Sequence, residues 1–242
     1  VIMDLHLVIG TPMYGGMCTS EYTQSLLNLS ESANKSDVKL TTIFLGNESL
    51  IQRGRNTVAH HFMNLPDATH LLFIDADIKF RTEDIVKMIA ADKSLIVGPV
   101  ALKGYNWDEI RQAAVNGEDD IGRTGGVFNI NKLPGIDMVD ENTPFEIEHG
   151  GNAFMMIRRD VFETLKPHTP IYTNGGRSLP DDVEIYDYFR VEINKDTNHL
   201  LSEDYFLCHS YRQLGGKVWC APWVETGHFG SHLFNGKYSR NN

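Results

Sequence analysis

Apolar and polar positions alternate in two textures along the first hundred residues. Leu5 to Ile9 is a nearly unbroken apolar run ending at Gly10-Thr11-Pro12, which predicts a buried strand closed by a turn. From Ser20 to Ala33, Leu26, Leu27 and Leu29 recur at mixed helical spacing behind Thr19 or Ser20 as N-cap, predicting a helix. Val38 to Leu45 alternates as a strand does and stops at Gly46-Asn47-Glu48; Leu50 to Met63 is helical again. Thr69 to Ile74 is the clearest strand, apolar on both faces between polar flanks. Thr82 and Asp84 open a helix over Glu83 to Ala91, and Leu95-Ile96-Val97 follows as a strand before Gly98-Pro99. This order, β-α-β-α-β-α-β, predicts a mainly parallel sheet with helices on both faces. Ligands of such sheets bind outside the carboxyl ends of the strands, the edge on which Gly10-Thr11-Pro12, Gly46-Asn47 and Asp75-Ala76-Asp77 all fall.

The second half is patterned differently. Lys103 to Pro144 is rich in Gly, Asn and Asp with little periodicity, which predicts long loops and short strands. Ala153 to Ile157 returns as a buried strand, Asp160 to Leu165 as a short helix and Pro167 to Asp182 as a loop. Ser202 starts a helix to about Leu214, stopped by Gly215-Gly216, and Lys217 to Cys220 is a final strand. No linker separates the halves. The expectation is one α/β domain over residues 1–242, with about 1–100 holding a nucleotide-type ligand and 101–242 forming a loop-rich acceptor half.

Composition narrows the function classes. No run approaches the ~18 apolar residues of a membrane-spanning helix, and the start lacks the pattern of a signal peptide, so a cytoplasmic location is expected. Three cysteines without a Cys-x-x-Cys pair read as free thiols. A net charge of −10 argues against a general electrostatic grip on nucleic acid and suits a site that gathers carboxylates around a cation.

The chemistry begins at Asp75-Ala76-Asp77. Two carboxylates, two positions apart after a fully apolar strand, leave the core together and can share one Mg²⁺ or Mn²⁺ with positions left for phosphate oxygens. The plainer alternative is an acidic turn that caps the next helix.

The segment Leu71-Leu72-Phe73-Ile74-Asp75-Ala76-Asp77-Ile78 resembles the Asp-x-Asp signature of GT-A-fold glycosyltransferases. The resemblance implies a Rossmann-like central sheet, Mn²⁺ or Mg²⁺, and a UDP- or GDP-linked sugar as donor, with Asp77 the more direct metal ligand and Asp75 acting partly through water or the donor's ribose and sugar. Further stretches follow in the order that fold requires. Thr11-Pro12 matches the loop that meets base and ribose, and Arg53-Gly54-Arg55-Asn56 resembles an Ala-Arg-Asn stretch in which Arg55 and Asn56 approach the nucleotide and the Asp pair, the planar fork of Arg suiting phosphate or carboxylate. His149-Gly150-Gly151-Asn152 through Arg159 resembles a Gly-Gly segment entering a strand beneath the sugar, its glycines letting backbone amides approach a ligand. Ser202-Glu203-Asp204-Tyr205 resembles the Glu-Asp motif of inverting members and marks Asp204, or less directly Glu203, as general base; alone it is also a good helix start. In Thr226-Gly227-His228-Phe229-Gly230-Ser231-His232, His228 matches a late histidine that completes the metal shell, with His232 as second candidate; His60-His61 reads as packing and surface. Lys103 and Trp107 resemble a Lys-x-x-x-Trp element of small phage and viral members, placed at sugar or acceptor, which points to a viral or bacterial enzyme and, if viral, to the host cytoplasm.

The function so implied is metal-dependent transfer of a hexosyl or pentosyl group to an acceptor hydroxyl, with inversion if Asp204 lies across the sugar from the leaving group. Glycan, glycoprotein and, given the acidic balance, less readily modified DNA are the acceptors. Two alternatives stand beside it. A nucleotidyltransferase that makes a nucleotide-sugar needs a basic Gly-rich loop after the first strand, and Met13-Tyr14-Gly15-Gly16-Met17 contains no Lys or Arg. A non-catalytic carbohydrate-binding protein of the same fold would use Trp107, Trp219 and Trp223 for stacking.

Overall fold

The computed structural model describes residues 5–119, 121, 126–136, 140–174, 179, 180 and 182–231. His232 lies outside the described residues. The chain runs through β1 (His6–Met13), α1 (Ser20–Lys35), β2 (Lys39–Gly46), α2 (Ile51–Met63), β3 (His70–Ile74) and β4 (Ile78–Lys79). Next come α3 (Thr82–Ala90), β5 (Leu95–Val97), β6 (Ala101–Tyr105), α4 (Trp107–Asn116), β7 (Gly126–Phe128), β8 (Ile130–Lys132), β9 (Phe145–Gly150) and β10 (Phe154–Arg158). Then follow α5 (Arg159–Leu165), β11 (Ile171–Thr173), β12 (Glu184–Tyr186), β13 (Glu192–Ile193), β14 (Leu200–Leu201), α6 (Glu203–Gln213), β15 (Val218–Cys220) and β16 (Gly227–His228).

Eight strands form one sheet in the order β2-β1-β3-β10-β5-β15-β9-β8. β2, β1, β3, β5, β15 and β8 run one way, while β10 and β9 run against them, so the sheet is mainly parallel. The period-2 geometry of strands sends alternate side chains to opposite faces, and two cores result. Val8, Leu71, Phe73, Met155 and Ile157 face Val58 and Phe62 of α2 and Phe162 of α5. Leu7, Ile9, Leu72, Ile74 and Met156 face Tyr22 and Leu29 of α1 and Ile85 and Met88 of α3. All five residues of β3 are buried, which is why its sequence reads apolar without alternation. Among the described residues no helix is long and apolar enough to cross a membrane.

The reversal of β10 positions the site. Because β10 is antiparallel to β3, its first residue, Phe154, pairs with Ile74, the last of β3. The turn before β10, Gly151 to Ala153, therefore lands on the carboxyl edge where Asp75 leaves the sheet, and the Asp75 amide donates to the Ala153 carbonyl at 3.0 Å.

Two stretches differ from the sequence reading. The segment from Lys103 to Pro144, expected as loops and short strands, contains α4, capped by Asn106 at its start and by Gly117 at φ 73° at its end. Only Ala113 of that helix is buried, so it has no apolar stripe for periodicity to reveal. β1 continues past Gly10 to Met13 along β2, whereas β3 pairs with it only as far as Gly10. Pro12 thus sits where β1 has an open edge, a position a strand tolerates without an N–H.

Glycine is required at Gly10 by close packing: a Cβ there would lie 2.4 Å from Val58 Cγ1 and 3.2 Å from Leu71 Cδ1. Gly10→Ala is expected to cost about 1–3 kcal/mol through overpacking. Gly104→Ala, where no atom lies within 4 Å of the added carbon, is expected to stay within about 0.5 kcal/mol. Urea unfolding midpoints that coincide for the two variants contradict this packing. Burial also lowers the imidazoles of His70 and His149 below their ordinary range. The unfolded chain then binds more protons than the folded one as pH falls below ~6.5. Stability from this source is complete above that pH and declines below it, so the urea midpoint should be lower at pH 5.5 than at 7.5; an equal or higher midpoint refutes it.

Candidate functional site

Four segments meet at the carboxyl edge of the sheet. The Asp75-Ala76-Asp77 turn comes off β3, and the Ala76 carbonyl accepts from the Thr19 amide at 2.9 Å, which ties the turn to the N-cap residue of α1. β4 pairs with β16, setting His228 opposite Ile78 and Gly227 opposite Lys79. The Phe229 amide adds a bond to the Asp77 carbonyl at 2.9 Å. This short ladder carries His228, remote in sequence, to the side of Asp77.

The His228 ring is oriented from behind. Its Nδ1 donates to the Ala101 carbonyl at 2.7 Å, which turns Nε2 outward, 3.5 Å from Asp77 Oδ2. A ring fixed through one nitrogen by a backbone carbonyl presents the other as a ligand. Lys103 of β6 reaches the same carboxylate oxygen, its Nζ 2.5 Å from Asp77 Oδ2. Asp77 and His228 thus offer one oxygen and one nitrogen donor to a divalent cation, and an ammonium already lies against the oxygen. No group of three or more His, Cys, Asp and Glu suited to a metal occurs among the described residues, so phosphate or water oxygens would have to complete a shell.

Asp75 is engaged differently. Arg55, on the second turn of α2 and only 4% exposed, donates through Nη2 to Asp75 Oδ1 and through Nε to Glu203 Oε1, both at 3.2 Å. Its Nη1 reaches the Asn152 carbonyl at 3.4 Å, and its guanidinium carbon lies 5.4 Å from the centre of the Phe73 ring. Burial works against the positive charge, but Asp75, Glu203 and Asp204 together outweigh it and hold the proton more tightly than usual. Arg55, expected near the nucleotide and the Asp pair, lies against Asp75 of that pair and bridges it to Glu203.

Asp204, on the first turn of α6, is fixed by three donors. The Tyr205 amide bonds its Oδ1 at 2.8 Å, the Ser202 hydroxyl bonds the same oxygen, and the Asn152 amide bonds Oδ2 at 3.3 Å. Arg55, Asp75, Asn129, Asn152, Asp204 and His228 are among the residues lining a cavity of about 150 Å³, with Gly151 at its wall. A groove of about 830 Å³ shares Ala101, Leu102 and His228 with this cavity and contains Lys103 and Trp107.

Other expected residues lie apart from the cavity. Thr11 is buried and shares a hydrogen bond of 2.6 Å with the Tyr22 hydroxyl, and Pro12 is half-buried in β1. Asn56 is buried and donates to Asp187 at 2.8 Å while accepting from the Phe189 amide at 2.8 Å. At Gly150 a Cβ would meet Val97 at 2.9 Å, so this glycine serves packing. Sequence reasoning missed Asn129, whose side chain accepts from the Tyr205 hydroxyl and which would meet a Cβ on Gly151 at 2.8 Å. It also passed over Asn152, a buried residue whose side-chain amide has no hydrogen-bond partner among the described residues. A buried polar position directly after Gly-Gly was the available signal for Asn152; Asn129, inside the aperiodic stretch, offered none.

No family model matches the sequence, and no curated protein does. Similarity appears at the level of solved structures. A197 from STIV is 12% identical and aligns over 97% of this chain and 99% of its own, with a TM-score of 0.50. GalNAc-T7, solved with UDP, GalNAc and Mn²⁺, is 10% identical, with 94% of this chain and 44% of that one covered and a TM-score of 0.48. UDP-glucose pyrophosphorylase, solved with UDP-glucose, is 8% identical over 89% of each chain, at a TM-score of 0.42. At 12% identity the likeness to A197 is one of fold alone.

Proposed function

We propose that this protein is a divalent-metal-dependent glycosyltransferase that moves a sugar from a nucleotide-diphosphate sugar to an acceptor hydroxyl with inversion. The observation that carries the reading is that Asp77 lies 3.5 Å from His228, which itself lines a cavity together with Asp75 and Asp204. The oxygen and imidazole donors suit Mn²⁺ or Mg²⁺, and the bond from His228 Nδ1 to Ala101 is the orienting contact such a ligand needs. When bound, the cation would offset the charge that develops on the departing diphosphate.

The side chains divide the remaining work. Asp204 takes the proton of the acceptor hydroxyl as that oxygen attacks the anomeric carbon. The three hydrogen bonds on Asp204 hold it in one orientation, which favours a fixed angle of attack. Arg55 keeps Asp75 and Glu203 in place, so the donor side and the acceptor side of the cavity are set by one guanidinium. Lys103, against Asp77, supplies positive charge where phosphates are to lie. The loop after β1 has no Lys or Arg to hold a triphosphate, which supports transfer from a nucleotide-sugar over its synthesis.

Asp77→Ala is expected to abolish Mn²⁺ binding in calorimetry and reduce turnover of UDP- or GDP-sugars at least 100-fold, with an unchanged circular-dichroism spectrum; retained turnover sinks the assignment. Asp204→Asn should lower kcat about 10²–10⁴-fold, the usual worth of a general base, and leave Mn²⁺ binding as in the wild type. Release of pyrophosphate in place of UDP or GDP would assign the chain to nucleotidyl transfer.

A further inference from the structure

We propose that the groove beside the cavity is the acceptor subsite and that it takes a neutral oligosaccharide, whose rings lie against Tyr105, Trp107 and Phe128. The proposal rests on the glycosyltransferase reading and names the acceptor class that reading leaves open.

Exposed apolar surface is the first observation. Tyr105 is 55% exposed, Trp107 61% and Phe128 49%, and all three line one groove. The fold gathers them deliberately: β6 pairs with β7, setting Phe128 opposite Ala101 and Gly126 opposite Tyr105, and Trp107 is the first residue of α4, fixed by the Asn106 cap. Clustered exposed aromatics on a well-formed surface mark a binding site. The Tyr105 and Trp107 ring centres are 5.4 Å apart with planes inclined at 50°. They leave no slot between them, so a ligand must lie across their faces.

Shape and charge choose the occupant. A concave volume of about 830 Å³ falls within the ~300–1,000 Å³ of small-ligand sites, whereas a protein partner would want a flatter face of about 800 Å². The groove adjoins the cavity, with Ala101, Leu102 and His228 lining both, so a chain lying in it has its end beside the compartment of Asp204. Of its three cations, Arg81 is already paired with Asp84 at 2.8 Å and Glu225 at 3.0 Å, and Lys103 with Asp77. An anionic ligand would find most of that charge already matched. A pyranose presents an apolar C–H face to aromatic rings and a hydroxyl edge to polar groups; here the rings meet a rim of Lys79, Arg81, Glu225, Thr226 and Ser231.

The test uses the full chain with maltohexaose, cellohexaose and mannohexaose as neutral probes, a sulfated hexasaccharide and a Ser/Thr-rich peptide as competitors, and saturation-transfer NMR as readout. At least one neutral hexasaccharide is expected to bind, and Tyr105→Ala and Phe128→Ala should each raise its Kd tenfold or more. Failure of all three neutral probes overturns the proposal, as does stronger binding of the sulfated probe or the peptide. Unchanged Kd in both variants overturns it too. Mn²⁺ calorimetry on the wild type keeps the two readings apart. Cation binding without hexasaccharide binding defeats the acceptor assignment alone, and hexasaccharide binding without cation binding defeats the metal-dependent transferase reading and with it the acceptor role, leaving a carbohydrate-binding groove.

Discussion

The buried guanidinium of Arg55 is the constraint around which the site is arranged. A charge that is 4% exposed is stable only if it is paired and hydrogen-bonded, and Arg55 meets that demand by drawing three parts of the fold together. It stands on α2, reaches the end of β3 through Asp75, the first turn of α6 through Glu203, and the turn before β10 through the Asn152 carbonyl. None of these segments can move independently without leaving a buried charge unmatched. Asp75 is thereby committed to a structural partner, and Asp77 is the carboxylate that remains turned toward His228 and Lys103.

The sheet topology explains why these groups meet at all. A purely parallel sheet would bring only the ends of forward strands to this edge. Inserting β10 in reverse between β3 and β5 brings the beginning of a strand there as well, and with it Gly151 and Asn152. The Asn152 amide binds Asp204 while its carbonyl binds Arg55. One peptide turn therefore spaces the acidic side chain of α6 from the cation of α2. The β4–β16 ladder does the same for His228, with two residues on each strand sufficing to fix the register.

The edge carries a small cavity, whose lining includes Arg55, Asp75 and Asp204, and a larger groove whose lining includes Tyr105, Trp107 and Phe128. They share Ala101, Leu102 and His228, and Ala101 is also the acceptor that orients His228. The backbone of β6 therefore touches both compartments, and its hairpin with β7 carries the aromatic residues.

Local sequence was sufficient where a residue's environment follows from its neighbours along the chain. The unbroken apolar run His70 to Ile74 specifies a strand buried on both faces, and the two aspartates after it must then leave the sheet at its carboxyl edge. Amphipathic spacing likewise marked α1, α2 and α3, because each buries one stripe against a single sheet face. Residues whose role depends on distant partners were not legible in this way. For Arg55 the nearness to the Asp pair could be expected, but nothing near it in sequence supplies Glu203, 148 positions away. Among ten histidines, the pairing of β16 with β4 is what sets His228 beside Asp77. α4 stayed hidden because a helix with one buried residue leaves no periodic trace, and Asn129 emerged only once Gly151 had to pack against it. Hydrophobic periodicity is a local property, set within a few residues, and it determined the strands, the helices and the acidic turn. Charge pairing and strand order act across the whole chain, and they alone decided which polar side chains face one another.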